Sequence, residues 1–282
     1  MDGIGTAAGV LLAGGRSSRM GQSKAALEWH GSTLLYRTAA VLSRTVSGPV
    51  VVVSAPGQRL PPLPAGVAVV ADPVEGLGPL QGIAAGLAAV ADRAPMAFVC
   101  STDTPFLHPA FIRLVLRGLA DPGVDVVAPV ALGFRQPLAA GYRTALAGLV
   151  AALVALGKLR PGMLLERCVV DSPDDAQLLR DPALARLDPE LDSVLNVNTP
   201  QDYAAARDRP PPEIVVHRLA ALADGDRRGP RTVRAATLGQ AAATVDLTLE
   251  RPVLAVLNDS QVTCDPQLPL VTGDTVTFRS AE

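Results

Sequence analysis

In "GVLLAGGRSSRMGQSK", residues 9–24, a short apolar run passes directly into paired glycines, three cationic side chains and a series of hydroxyls. The apolar run predicts a buried strand. A loop that follows such a strand lies at the carboxyl edge of an open α/β sheet, where ligands bind. Gly14 and Gly15 let backbone N–H groups approach an anion closely, while Arg16, Arg19 and Lys24 supply the charge to hold a triphosphate. Spacing excludes the two commonest phosphate loops. A dinucleotide-binding turn needs G-x-G-x-x-G with a helix opening at once. Here the glycines stand at 14, 15 and 21, and the next helical pattern waits until about Ser32. A Walker A loop needs Gly-Lys after its spacer, but Gly21 is followed by Gln22. The alternative is a solvated glycine loop with incidental arginines.

Outward from this loop, short β-branched runs alternate with alanine- and leucine-rich segments of helical length, the pattern of a mostly parallel sheet covered by helices. The runs predict strands near 8–12, 50–53, 67–70, 97–100, 124–128 and 194–197, and helices near 33–46, 80–91, 109–119 and 144–156. Ser32 is placed to cap the first helix and Gly48-Pro49 to stop it. In "NTPQD", Thr199 is the expected cap, with Pro200 at the first helical position. "RDRPPPE", residues 207–213, then imposes an extended connector. The expected organisation is a domain over 1–207, a proline linker over 208–212 and a small domain over 213–282 of four strands and one helix.

With 25 basic and 27 acidic residues and an aromatic fraction of 3%, the chain lacks the basic surface and stacking platforms of a nucleic-acid binder. Lys24 and Lys158 are its only lysines, so a lysine inside the glycine loop suggests a need for that residue. Cys100, Cys168 and Cys264 match no metal spacing and read as buried thiols. "TALAGLVAALVALG", residues 144–157, is too short to span a bilayer and reads as a buried helix. No signal peptide is visible in "MDGIGTAAGV", so no membrane attachment and a cytoplasmic location are expected. His30, His108 and His217 have no partners at useful spacing and read as surface or turn residues.

"LLAGGRSSRMGQSK" resembles the L-A-G-G-x-S-x-R-M-G-x-D-K signature of the molybdenum cofactor guanylyltransferase family, with Ser23 where the family often has Asp. "ADPVEGLGPLQGI", "STDTPFL", "RQPLAAGY" and "LNVNTPQD" follow in the family's order, so the likeness covers about 5–207. It implies a nucleotidyltransferase Rossmann-like three-layer sandwich that transfers GMP from GTP to the phosphate of molybdopterin, or Mo-molybdopterin, with Mg²⁺ as cofactor. A cytidylyltransferase, a sugar-phosphate nucleotidyltransferase and a non-catalytic adaptor of the cofactor pathway are the alternatives; "LAGG" in place of "LAAG" favours GTP over CTP. The likeness assigns catalysis to Arg19, Lys24 and Asp103, with Asp103 on the metal. Nucleotide binding falls to Leu12, Ala13, Gly14, Gly15, Lys24, Asp72, Gly78, Pro79, Leu80 and Asp103, and the pterin side to Asn196 and Asn198. Read without the likeness, Asp103 is a helix or turn cap ahead of Thr104-Pro105, and Asp72 is equally a strand-ending residue ahead of Pro73. Pro79 needs no ligand at a helix start, and the two asparagines suit loop backbone.

"VLAVLNDSQVTCDPQLPLVTGDTVTF", residues 253–278, resembles the small ubiquitin-like sulfur carriers of molybdopterin and thiamine synthesis, which implies an α+β β-grasp domain. Such carriers act through a terminal Gly-Gly, and this sequence reads "FRSAE" there, so carrier chemistry is not expected. A docking or packing module over 213–282, the docking partner being molybdopterin-synthase components, is the expectation.

Overall fold

The computed structural model describes residues 5–14, 23–72, 76–218, 229–249 and 253–280. Its contacts separate two compact units, one of Met1–Leu27 with Thr33–Asp202 and one of Glu28–Ser32 with Tyr203–Glu282.

The first unit is built on a seven-stranded sheet. Its strands are β1 (Ala7–Leu12), β2 (Val50–Ser54), β3 (Ala68–Ala71), β4 (Met96–Ser101), β5 (Val126–Val127), β6 (Ala139–Arg143) and β7 (Val170–Asp171). They lie in the order β7-β5-β6-β4-β1-β2-β3. β1 pairs in parallel with both β2 and β4, and every residue of β1 and β2 is buried, as their uninterrupted apolar runs require. β3 closes one edge and is largely exposed. β6 runs antiparallel to β4 and to β5. Helices α1 (Leu34–Ser43), α2 (Pro79–Val90), α3 (Pro109–Gly118) and α4 (Ala147–Ala155) cover the sheet. α2 and α4 close one core with Val10, Leu12, Val99 and Tyr142. On the opposite face Gly9 lies under Leu42 of α1, and Phe98 meets Phe111 of α3 edge-on, 6.4 Å between ring centroids. The result is the expected mixed α/β fold with a mostly parallel sheet.

Close approach of α2 to the sheet depends on Gly86. A Cβ there would lie 2.2 Å from Val10 Cγ1 and 3.2 Å from Val53 Cγ2. Alanine gains about 1 kcal/mol in helix propensity, while overpacking a buried strand costs about 1–3 kcal/mol. Gly86→Ala is therefore expected to lower the urea midpoint, by up to about 2 kcal/mol of stability, at an unchanged m-value. An unchanged or raised midpoint would show that α2 can lift away from β1.

Several expectations need correction. No strand forms over 194–197; Asp192–Val194 is a 3-10 turn, and Val197 spends its N–H on the Asp103 carbonyl rather than on a strand. Thr33, not Ser32, caps α1, its hydroxyl accepting from the Tyr36 N–H. The helix expected over 144–156 starts as a 3-10 turn and is only partly buried: within α4 Val150 and Leu153 are buried, Ala147, Leu149 and Val154 pack against the core half-buried, and Leu156 just beyond is 72% exposed. Of the cysteines only Cys100 is buried; Cys168 is half-buried and Cys264 exposed. His108 is buried, since its Nδ1 caps α3 by accepting from the Ala110 N–H. Among the described residues no helix is long and apolar enough to cross a membrane.

A last helix, α5 (Pro200–Arg207), leads out of the first unit. In the second unit, β8 (Glu213–Arg218), β9 (Arg231–Arg234), α6 (Leu238–Ala243), β10 (Val253–Leu257), β11 (Gln261–Thr263) and β12 (Thr275–Ser280) follow in turn. The five strands lie in the order β9-β8-β12-β10-β11, with first and last strands β8 and β12 parallel at the centre. β11 is a strand beyond the four expected. The turn at His30-Gly31 belongs to this unit: the His30 carbonyl accepts from Gln240 Nε2 at 3.1 Å, and Trp29 packs against Tyr203.

Candidate functional site

β1 and β4 end side by side, with Leu12 paired to Ser101, and their carboxyl ends frame the site. Asp103 stands two residues beyond β4. Lys24 opens the 3-10 turn Lys24–Ala26, presented by an extended Ser23. From its Nζ, one hydrogen bond runs 2.9 Å to Asp103 Oδ2 and another 2.8 Å to Asn198 Oδ1, across 79 and 174 residues of sequence. Ser101 donates its hydroxyl to the other carboxylate oxygen, Asp103 Oδ1. The Lys24 and Asp103 side chains are 19% and 17% exposed, so water screens this pair less than an ion pair on open surface.

The segment that brings Asn198 to Lys24 is pinned along its length. Asp188, buried, accepts from the Asp192 N–H at 2.7 Å and the Ser193 N–H at 3.1 Å, and Ser193 Oγ accepts from the His108 N–H at 3.0 Å. Val197 then donates to the Asp103 carbonyl at 2.8 Å. Asp202 Oδ2 accepts from the Asn198 N–H at 3.0 Å and the Thr199 N–H at 2.8 Å. The Asn198 N–H foremost, then the Thr199 hydroxyl and N–H, hold the Asp202 carboxyl below the usual carboxylate range. Thr199 caps α5 as expected, its hydroxyl accepting from the Asp202 N–H.

Asp188 behaves oppositely. Burial pushes its pKa up to about 6 from 3.8, against the hydrogen bonds from Ser193 and Asp192. A folded-state pKa above the unfolded one means that the native state holds the proton more tightly. The stability this supplies is full below about 3.8 and is lost as pH rises through 6. At about 1.4 kcal/mol for each tenfold difference in proton affinity, the swing reaches about 3 kcal/mol. The stability of the wild-type chain relative to Asp188→Asn is thus expected to fall between pH 4 and 7, read from urea denaturation at each pH. Parallel profiles for the two proteins would refute the buried charge.

The other expected site residues divide between backbone and side chain. Leu12 is part of the core, and its carbonyl accepts from the Thr102 N–H at 3.3 Å. Ala13 is fixed at both polar groups, its N–H on the Val53 carbonyl and its carbonyl on Gln58 Nε2. Gly14 passes so close to the Ala55 N–H that a Cβ would lie 3.3 Å away. Gly78 takes φ 85°, a conformation glycine adopts without strain, and Pro79 occupies the first position of α2. Leu80 is fully buried, its side chain part of the core. Asp72 lies past β3, two strands from β1, its N–H on the Ser54 carbonyl. Asn196 donates to the Val194 carbonyl at 3.2 Å, whereas Asn198 joins Lys24. Gly15 and Arg19 lie outside the described residues, as does Arg16.

Two contributors had no sequence expectation. Ser101 stands inside "STDTPFL", where a hydroxyl two residues before an aspartate was the available signal. Gln58 ties the loop after β2 to Ala13, and no local pattern marks it.

Chemically, the site pairs a shielded cation with a carboxylate at a sheet edge that also carries a glycine-rich loop. Among the described residues no cluster of three or more His, Cys, Asp or Glu side chains forms a ready metal cage. Asp103 nonetheless suits an oxygen-seeking divalent cation. Its carboxylate already supports a positive group, the Lys24 ammonium, and Mg²⁺ is commonly held by one or two carboxylates with phosphates and water completing its shell.

A family model described as "MobA-like NTP transferase domain" matches residues 9–171. A probable molybdenum cofactor guanylyltransferase of Mycobacterium bovis (strain BCG / Pasteur 1173P2) is 41% identical over 162 residues, 56% of this chain and 79% of that one. The protein of the same name from Mycobacterium ulcerans (strain Agy99) is 38% identical over 201 residues, 70% of this chain and 92% of that one. Among solved structures, molybdopterin-guanine dinucleotide biosynthesis protein A from Archaeoglobus fulgidus aligns with a TM-score of 0.56 at 23% identity, covering 71% of this chain and 97% of that one. A nucleotidyl transferase from Methanothermobacter thermautotroptrophicus aligns at 0.51 and 21%, covering 72% and 96%. These two structures share the fold.

Proposed function

Because the chain belongs to the MobA-like NTP transferase family, and is thus a nucleotidyltransferase of molybdenum cofactor biosynthesis, we propose that it transfers GMP from GTP to the phosphate of molybdopterin. An oxygen of the pterin phosphate attacks the α-phosphorus, the bond to the β-phosphate oxygen breaks, and pyrophosphate leaves with the electron pair. The observation that supports this reading best is the meeting of Lys24, Asp103 and Asn198 from three distant segments where β1 and β4 end.

Both reactants are polyanions, so the site's task is to offset charge and to align the groups. Lys24 places a compact charge on the triphosphate and on the pyrophosphate as it departs, with Arg19 acting beside it. Backbone N–H groups from Gly14 and Gly15 hold phosphate oxygens. Gly78 and Pro79 frame the base, Asp72 takes the base or ribose, and Asn196 and Asn198 face the pterin. Asp103 would hold Mg²⁺, which when bound neutralises phosphate charge and polarises the reacting phosphorus.

For the second unit we propose a β-grasp domain, supported by its strand order, second-first-fifth-third-fourth, with the first and fifth parallel and the helix after the second. Joined to a cofactor-finishing enzyme, it would raise the local concentration of a molybdopterin-synthase component. Incubation with Mg²⁺, molybdopterin and each nucleotide in turn tests the catalytic reading. Pyrophosphate release and dinucleotide formation are expected with GTP; turnover with CTP alone overturns the choice of base.

A further inference from the structure

The positive charge that meets Asp103 is supplied by the protein itself. Ser101 occupies Oδ1, and Lys24 lies on Oδ2, with Asn198 as its second acceptor. The carboxylate is thus neutralised and both of its oxygens are engaged, in a place where neither partner is fully solvated. A divalent cation arriving alone meets an ammonium at the same oxygen, and like charges at that range repel strongly. A triphosphate offers Lys24 a denser acceptor than one carboxylate.

We propose that Lys24 is handed over: it guards Asp103 Oδ2 in the nucleotide-free protein and moves to the phosphates when a triphosphate binds, which opens that oxygen to the divalent cation. Ser101 keeps its hold on Oδ1, so the exchange takes place at one oxygen. Asn198 steadies the ammonium as it leaves the carboxylate. Metal and nucleotide therefore bind cooperatively, and by thermodynamic reciprocity each tightens the other. The inference rests on the nucleotidyl-transfer reading of the site, yet it asks only for a triphosphate and is indifferent to the base.

The composition makes it directly observable. Lys24 and Lys158 are the only lysines, so protein labelled with ¹³C at lysine Cε gives two side-chain signals, assigned with Lys158→Arg. On addition of an unreactive α,β-methylene analogue of GTP without metal, the Lys24 signal is expected to shift and the Lys158 signal to stay. Mn²⁺ titrated into nucleotide-free protein and followed by its electron paramagnetic resonance is expected to bind Lys24→Met about tenfold more tightly than wild type. That gain disappears in Lys24→Met/Asp103→Asn. Equal or weaker Mn²⁺ binding by a folded Lys24→Met protein overturns the handover. So does a Lys24 signal that ignores the analogue, and this arm needs no variant at Lys24. A shift with the CTP analogue accompanied by turnover of CTP alone supports the handover while overturning the guanylyl reading. Turnover of GTP with an unmoved Lys24 signal does the reverse.

Discussion

Asp103→Asn is expected to lower kcat with GTP by at least about a thousandfold while leaving the fold intact. The substitution preserves shape. Ser101 still finds a carbonyl oxygen to accept its hydroxyl, and the backbone carbonyl of Asp103 still accepts from the Val197 N–H. What is lost is one negative charge at the end of β4. An amide is a poor ligand for a hard cation, and a bound divalent ion supplies several kcal/mol of transition-state charge stabilisation, about 4 kcal/mol being a thousandfold in rate. The amide nitrogen would also face the Lys24 ammonium, donor against donor, while the Asn198 contact is kept. Steady-state pyrophosphate release measures the rate, and thermal unfolding by circular dichroism checks the fold. Activity within tenfold of wild type would remove Asp103 from the reaction. A large fall in melting temperature would assign it to the structure instead.

How far the site could be seen in the sequence follows from how local each signal is. β1, β2 and β4 announce themselves because both faces are buried and their apolar runs are unbroken. β6 does not: "AAGYR" lacks β-branched residues, since Gly141 sits beneath α3 where a Cβ would come within 3.1 Å of Leu119 and 3.2 Å of Val115. "VLNVN" has the alternation of a strand, but only tertiary context decides that Val197 bonds to Asp103. Lys24 and Asp103 were legible as separate residues of a resembling motif. Their direct pairing, and the arrival of Asn198 beside them, depend on three chain segments folding to one sheet edge, and no spacing encodes that. The raised pKa of Asp188 was equally invisible, because burial is a property of the packed chain.

Lys24→Ala is expected to lower kcat by about a hundred- to a thousandfold and to raise KM for GTP by less than about tenfold. The asymmetry comes from where charge develops. On the proposed reading the triphosphate is shared among several groups, the Gly14 backbone and Arg19 among them, so one lost contact is partly covered. In the transition state, negative charge gathers on the departing pyrophosphate, and a point charge fixed before the reaction stabilises it without reorganisation. On handover the Lys24 ammonium leaves Asp103 Oδ2 before the reaction and stays within reach of Asn198, whose N–H is held by Asp202, so it meets the departing pyrophosphate already positioned. Lys24→Arg is the sharper comparison. A planar fork keeps the charge but spreads it over a larger group than the compact ammonium that passes from Asp103 Oδ2 to the phosphates, so arginine should restore KM more fully than kcat. If alanine instead raised KM with kcat unchanged, Lys24 would bind ground and transition states alike, and the developing charge would have to be met elsewhere.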